Sequence, residues 1–455
     1  MNIRSNLQKL HSRIGASGFL KSVLTLSSGV IFGQAINFLG MPIVGRVYDP
    51  AAMGDYTIIT ANAAIISAVA CLGMMTSFML PKEHEEARGL SRLVTYSTVL
   101  ITTLVIGVLW LCSGIYRIFS TEETPYSISL LVLWLYIVFN TVSNICYAYV
   151  NRHKLYRVMF WNPVITAGIN VGAGILFGLL GWGFVGYTTA HILSFVVNIL
   201  HLTRHANPYA PLDTSDFRCI PLLKRYKHFP LHQMPANLIS SLSTQLPVQM
   251  IERLYSASAL GMYSMALKIL SLPVSLLATP INRVYFQEAS QRYNRGEDIG
   301  EFSFKILETN IKIALLPISL LMIFGEWIFA IFLGEQWREA GTYAAIIGMH
   351  QLMLFCSSCL SGDFIIIKKN SWNLISAAIS LALNVLTLVL ARAFKVAVFG
   401  FLIILSLLQT LRIIGAQIVF FRYTGLDIKR YLLFTVKYVI FPVGLSLAIR
   451  SILFQ

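Results

Sequence analysis

The sequence predicts an all-α, polytopic membrane protein of about 13 transmembrane helices, and three observations carry that prediction: composition, the lengths of the apolar runs and the placement of the cations. Of 455 residues, 56% are apolar and 12% charged, and the mean hydropathy is +0.69. A soluble chain carries roughly 25% charged residues. Too little polar surface is left to cover a water-facing particle, so lipid is the solvent for most of the chain. That excludes a soluble enzyme, a DNA-binding domain and a disordered protein.

Runs long enough to cross a hydrocarbon core of about 30 Å fall at 22–44, 56–80, 94–116, 126–149, 158–180 and 183–202. A polar segment, 203–229, interrupts the pattern before a second series at 230–251, 262–286, 306–333, 341–367, 371–391, 397–421 and 431–453. The expected organisation is therefore a cytoplasmic tail (1–21), an N-lobe (22–202), a cytoplasmic linker (203–229), a C-lobe (230–421) and an additional C-terminal helix (422–455).

Orientation follows from where Lys and Arg fall. With the N-terminus cytoplasmic, twenty-three cations lie in inner segments and seven in outer ones. That satisfies the positive-inside bias. Most of the net charge of +15 is thus a topology signal, which needs no nucleic acid to explain it. The tail, with Arg4, Lys9, Arg13 and Lys21, reads as retained, because the apolar stretch after it is too long for a signal peptide. The six cysteines form no paired framework, and Cys356 and Cys359 sit inside an apolar run, where small residues pack between helices.

An internal repeat stands out at an offset of 207 residues. RVYDPAAMGDY (46–56) aligns with RLYSASALGMY (253–263), so that Arg46, Tyr48, Ala52, Gly54 and Tyr56 coincide with Arg253, Tyr255, Ala259, Gly261 and Tyr263. Each copy falls between the first and second span of its series, on the outer side. This is a parallel repeat about an axis along the membrane normal. Asp49-Pro50 and the glycines set a tight turn, while Arg and Tyr suit the interface, either as anchors or at the mouth of a cavity.

The stretch PIVGRVYDPAAMGDY (42–56), with Leu80-Pro81-Lys82 closing the following span, resembles the first hairpin of the polysaccharide transporter family. This family comprises the O-antigen flippases of the multidrug, oligosaccharidyl-lipid and polysaccharide (MOP) exporter superfamily. The second copy and Pro273 to Phe286 resemble the equivalent hairpin of its second half. The resemblance implies 12 to 14 helices in two pseudo-symmetric six-helix lobes around a central cavity, as in MATE exporters. It implies a flippase in a bacterial inner membrane that moves an undecaprenyl-pyrophosphate-linked oligosaccharide, O-antigen or another surface polysaccharide unit, from the cytoplasmic to the periplasmic leaflet by alternating access. The implied partners are the lipid-linked oligosaccharide, membrane lipids, a polysaccharide polymerase and a chain-length regulator. No cofactor or metal is expected beyond a proton or sodium gradient.

Five cations lie inside spans: Lys268, Arg283, Lys312, Arg412 and Lys437. Charges at membrane depth usually face the bundle interior or a wet cavity. Lys268 and Arg283 are separated by about 60° around a helix and roughly 22 Å along it, with Pro273 and Pro280 placed to kink the span between them. Lys268, Lys312, Arg412, Arg283, Arg46 and Arg253 are the candidate substrate-binding cations. Arg283 and Lys437 also lie near enough to the inner face to snorkel. Glu326 and Asp363 are candidates for ion coupling, with snorkelling or pairing as the plainer reading. An excess of buried cations over carboxylates favours an anionic substrate over the cationic drugs of a multidrug exporter. A polytopic polymerase, ligase or glycosyltransferase is disfavoured because the outer loops are short and carry no evident catalytic frame.

Overall fold

A computed structural model describes residues 28–111, 126–211, 219–272, 278–360 and 362–453, and every regular element among them is helical. The tail (1–21) and Pro273 lie outside the described residues. The helices are α1 (Ser28–Val47), α2 (Pro50–Ala70), α3 (His84–Leu111), α4 (Tyr126–Arg152), α5 (Tyr156–Leu179), α6 (Gly183–His205), α7 (Cys219–Arg225), α8 (Met234–Leu254) and α9 (Ala257–Leu270). They continue with α10 (Thr279–Asn294), α11 (Ile299–Leu333), α12 (Arg338–Cys359), α13 (Asp363–Ile366), α14 (Ser371–Ala393), α15 (Val398–Thr424), α16 (Ile428–Thr435) and α17 (Phe441–Leu453).

Eleven helical segments among the described residues are long and apolar enough to cross a membrane. They match eleven of the thirteen predicted spans. The other two differ for physical reasons. The run at 230–251 falls on α8, whose Ser240, Ser241, Ser243, Thr244, Gln245 and Gln249 make it a polar helix of spanning length. The run at 262–286 is divided between α9 and α10.

Local chemistry sets the boundaries. Asp49 accepts a hydrogen bond from the Ala52 amide at 2.8 Å, which explains the Asp-Pro start of α2. Ser256 caps α9 through the Ala259 amide at 3.0 Å, and Asp298 caps α11 through Gly300 at 2.8 Å. Gly425, with φ of 78°, stops α15 in the left-handed conformation that glycine adopts without strain.

By contact the described residues separate into two units, one of residues within 28–41, 66–111 and 130–234, the other of residues within 42–65, 126–129 and 235–453. In the first, α1 packs closely on α5: a Cβ on Gly29 or Gly33 would meet the carbonyl oxygen of Phe160 or Pro163. Small residues of this kind let helices approach where lipid supplies no hydrophobic drive. In the second, a continuous apolar core joins α10, α11, α12, α15 and the last span around Phe304, Leu307, Met322, Phe355, Phe420 and Tyr431.

Candidate functional site

The second unit holds a chain of polar side chains inside its helical bundle. Asn384 of α14 donates to the Ser243 carbonyl of α8 at 2.7 Å, and Gln409 of α15 donates to the Asn384 side-chain oxygen at 2.7 Å. The Gln409 carbonyl oxygen accepts from Ser380 at 3.0 Å and from Arg412 Nε at 2.8 Å. A second Arg412 nitrogen donates to Ser376 at 2.8 Å. Asn384 and Gln409 are buried and Arg412 partly so. Every hydrogen-bond partner named for Arg412 is neutral, which orients the guanidinium without cancelling its charge. Arg412 is conspicuous in the sequence, whereas its supports are not. Ser376, Ser380 and Asn384 nevertheless recur at i, i+4 and i+8, a polar stripe on one face of an apolar helix.

Lys268 is exposed in the last turn of α9, whose Tyr263, Met265, Ala266, Ile269 and Leu270 are all buried. Its own helix therefore surrounds it with no exposed apolar side chain. Lys312 stands differently. It pairs with Glu308, one turn earlier, at 2.6 Å and lies among the exposed residues Ile313, Leu316 and Leu320. Arg253 is exposed at the end of α8. The Arg283 side chain lies outside the described residues.

The repeated hairpin is bound into the second unit through backbone atoms. Arg46 donates to the carbonyls of Ile331 and Phe332 at 3.0 and 3.2 Å, in the last turn of α11, and to Pro42 at 3.0 Å. A cation on unpaired C-terminal carbonyls is favoured by the helix dipole. Buried Trp337 donates to Gly45 O at 2.6 Å, and Tyr255 of the second copy donates to Val396 O at 2.9 Å. Of the two readings the sequence left open, anchoring describes where the bonds of Arg46 go.

Glu326 accepts from Arg450 of α17 and from Thr342 of α12 at 2.8 Å, and Arg450 also donates to Thr342 at 2.9 Å. The carboxylate thus carries a counter-charge. Asp363 accepts from the hydroxyl of buried Tyr285, which contacts Ser303 at 2.8 Å, whereas the neighbouring Lys368 is exposed.

At one end of the first unit, arginines hold the polar linker. Arg92 donates to the carbonyls of Tyr209 and Ala210 at 3.3 and 2.8 Å, Arg88 to Pro211 at 3.4 Å, and Thr95 meets the Tyr209 hydroxyl at 2.8 Å. On the other side of the linker, Arg225 and Tyr226 bond Glu86 at 2.7 and 3.1 Å. Burial, then the adjacent Glu86 carboxylate, push the Tyr226 hydroxyl up to about 12. His84 and His153 stack at 4.4 Å, and burial, followed by His84, Arg152 and Arg88, lowers the His153 pKa below its usual 6.5. Among the described residues, no group of three or more His, Cys, Asp or Glu side chains is placed to hold a metal ion.

Residues 43–342 match a protein family described as polysaccharide biosynthesis protein. The succinoglycan biosynthesis transport protein ExoT of Rhizobium meliloti (strain 1021) is 21% identical over 334 residues, covering 72% of this chain. The chain covers 65% of that relative's length, less than two thirds. Among solved structures, lipid II flippase MurJ in an inward closed conformation matches with a TM-score of 0.69 and 13% identity over 94% of this chain and 96% of that one. A MOP superfamily transporter from Pyrococcus furiosus gives 0.54 and 16% identity over 89% and 96%. An inward-facing multidrug resistance MATE family transporter gives 0.52 and 14% identity over 88% and 94%. At these identities the likeness to solved structures is one of fold.

Proposed function

We propose that the chain, which belongs to the polysaccharide biosynthesis protein family as a multi-pass membrane transporter of the MOP type, is a flippase for an anionic, undecaprenyl-pyrophosphate-linked oligosaccharide repeat unit. It carries the unit from the cytoplasmic to the periplasmic leaflet of a bacterial inner membrane by alternating access, with its N-terminus in the cytoplasm. The name of the succinoglycan transport relative supports a glycan cargo, and that of the lipid II flippase a lipid-linked one. A polysaccharide polymerase and a chain-length regulator would act on the delivered unit.

The observation that carries this reading is Arg412. An intramembrane cation costs about 2.5 to 3.5 kcal/mol at mid-depth, and here neutral Gln409 and Ser376 orient it. A phosphorylated passenger supplies the missing counter-charge. Lys268, exposed on a largely buried helix, is the second cation for the same group. Glu326 is neutralised by Arg450, which leaves Asp363, hydrogen-bonded by a hydroxyl, as the carboxylate for proton coupling.

The test is surface-glycan export in a strain lacking the gene. Arg412→Gln should abolish export with the protein still in the membrane, and Arg412→Lys should restore part of it. Asp363→Asn should slow export and remove its dependence on the proton gradient. Full glycan production by the Arg412→Gln variant would sink the anionic-cargo reading.

A further inference from the structure

Lys312 of α11 and Lys437 of the last span address one aromatic ring. Their ammonium nitrogens lie 5.3 and 5.1 Å from the centre of Tyr438. Lys437 belongs to the π-helical turn Val436–Ile440 that joins α16 to α17, and single-turn widenings of this kind concentrate at functional sites. Lys305 and Lys429, both exposed, lie toward the starts of α11 and α16, and Glu308 offsets one charge of the group.

The neighbours identify the solvent on this wall. Leu316 and Leu320 follow Lys312 at i+4 and i+8 and are 67% and 44% exposed, and Leu433 and Phe441, on either side of Lys437, are 71% and 67% exposed. On a membrane-spanning bundle, exposed leucines in this density face acyl chains. Two ammonium groups are thus set among lipid-facing side chains with a single carboxylate for both. A free anion has no use for the leucines, and an apolar ligand has none for the lysines. A molecule that is anionic at one end and apolar at the other satisfies both.

We propose that Lys312, Lys437 and Tyr438 form a binding site for the phosphate of an anionic phospholipid, seated against α11 and the last span in the leaflet at the Ile299 end of α11. The two ammonium groups pair with the phosphate, the tyrosine ring contacts each of them through cation–π attraction, and the leucines cover the acyl chains. The site requires only that the protein spans the membrane, so it stands or falls independently of the cargo.

Native mass spectrometry of the full chain in detergent tests the site, with phosphatidylglycerol and phosphatidylcholine of matched acyl chains as probes and inorganic phosphate as competitor. The wild type should bind phosphatidylglycerol in preference. Lys312→Gln and Lys437→Gln should each weaken that binding roughly fivefold. Tyr438→Phe, which keeps the ring, should bind as the wild type does, and Tyr438→Leu should bind less. Equal binding of the two lipids, or wild-type binding by both lysine variants, would overturn the site. Displacement of the lipid by inorganic phosphate at equal concentration would overturn it too, since it would make this a free-anion site.

Discussion

Gly54 packs on the carbonyl of Ala257, and Gly261 packs on the carbonyl of Pro50, so that each copy of the repeated hairpin holds the other at the equivalent position. A Cβ on Gly54 would lie 1.9 Å from Ala257 O, and one on Gly261 would lie 1.8 Å from Pro50 O. Both obstacles are backbone, which cannot swing aside as a side chain can. Gly54→Ala or Gly261→Ala should therefore lower stability by about 1 to 3 kcal/mol, as overpacking does. The double variant should lose less than the two losses combined, because one displacement relieves both clashes. Thermal unfolding of the three purified variants measures this, and unchanged midpoints for the single variants would contradict the geometry.

Arg450 fastens α17 to α11 and α12 through Glu326 and Thr342, with side-chain exposures of 12% and 23% for the ion pair. Removing either charge strands the other, so Glu326→Gln or Arg450→Gln should each cost about 3 kcal/mol. The double variant Glu326→Gln with Arg450→Gln should recover part of that loss. A melting curve for the double variant below both singles would argue against the pair.

Arg88, Arg92 and Thr95 clip residues 209–211 onto one face of α3. Hydrogen bonds from a charged donor contribute about 1.5 to 3 kcal/mol each. Arg92→Gln should accordingly expose the linker, seen as faster cleavage by a protease between residues 203 and 229 with the helices left intact. A cleavage rate equal to that of the wild type would show that the clip is dispensable.

His153, outside the spans, has a lowered pKa because burial and the neighbouring His84, Arg152 and Arg88 oppose its protonation. A group with a depressed folded-state pKa leaves stability intact above its unfolded value and removes it as pH falls through the folded one. Stability should thus decline from pH 6.5 downward, and His153→Gln should flatten that decline. Melting temperatures of the two proteins between pH 7.5 and pH 5, a range chosen to bracket that value, provide the check; parallel curves would remove His153 from the account.

The helical spans were legible because a bilayer enforces them: about twenty apolar residues are needed to cross it, and polar loops must separate them. The family was legible in the two hairpins, whose Asp-Pro start and glycines are backbone requirements written directly in residue type. Span-length polar helices were harder, since α8 spends its side chains on hydrogen bonding instead of hydropathy. Within the site, Arg412 could be flagged because an isolated cation in an apolar run is conspicuous. Its bond to Gln409 is an i, i+3 contact on its own helix, but its bond to Ser376 and the tie between Glu326 and Arg450 depend on contacts across 36 and 124 positions that no local pattern reveals. For Lys312 the local signal was present: Glu308 precedes it at i−4, the spacing of a helical ion pair, while Leu316 and Leu320 continue its face outward.

The glycine seam has a consequence for descent. Two related hairpins meeting by the same patch in opposite senses make a pseudo-isologous contact, the kind that a two-fold symmetric homodimer uses. An ancestor half as long, assembled in pairs side by side in one bilayer orientation, would already have possessed this junction, and gene duplication with fusion would have turned an encounter between strangers into a covenant within one polypeptide.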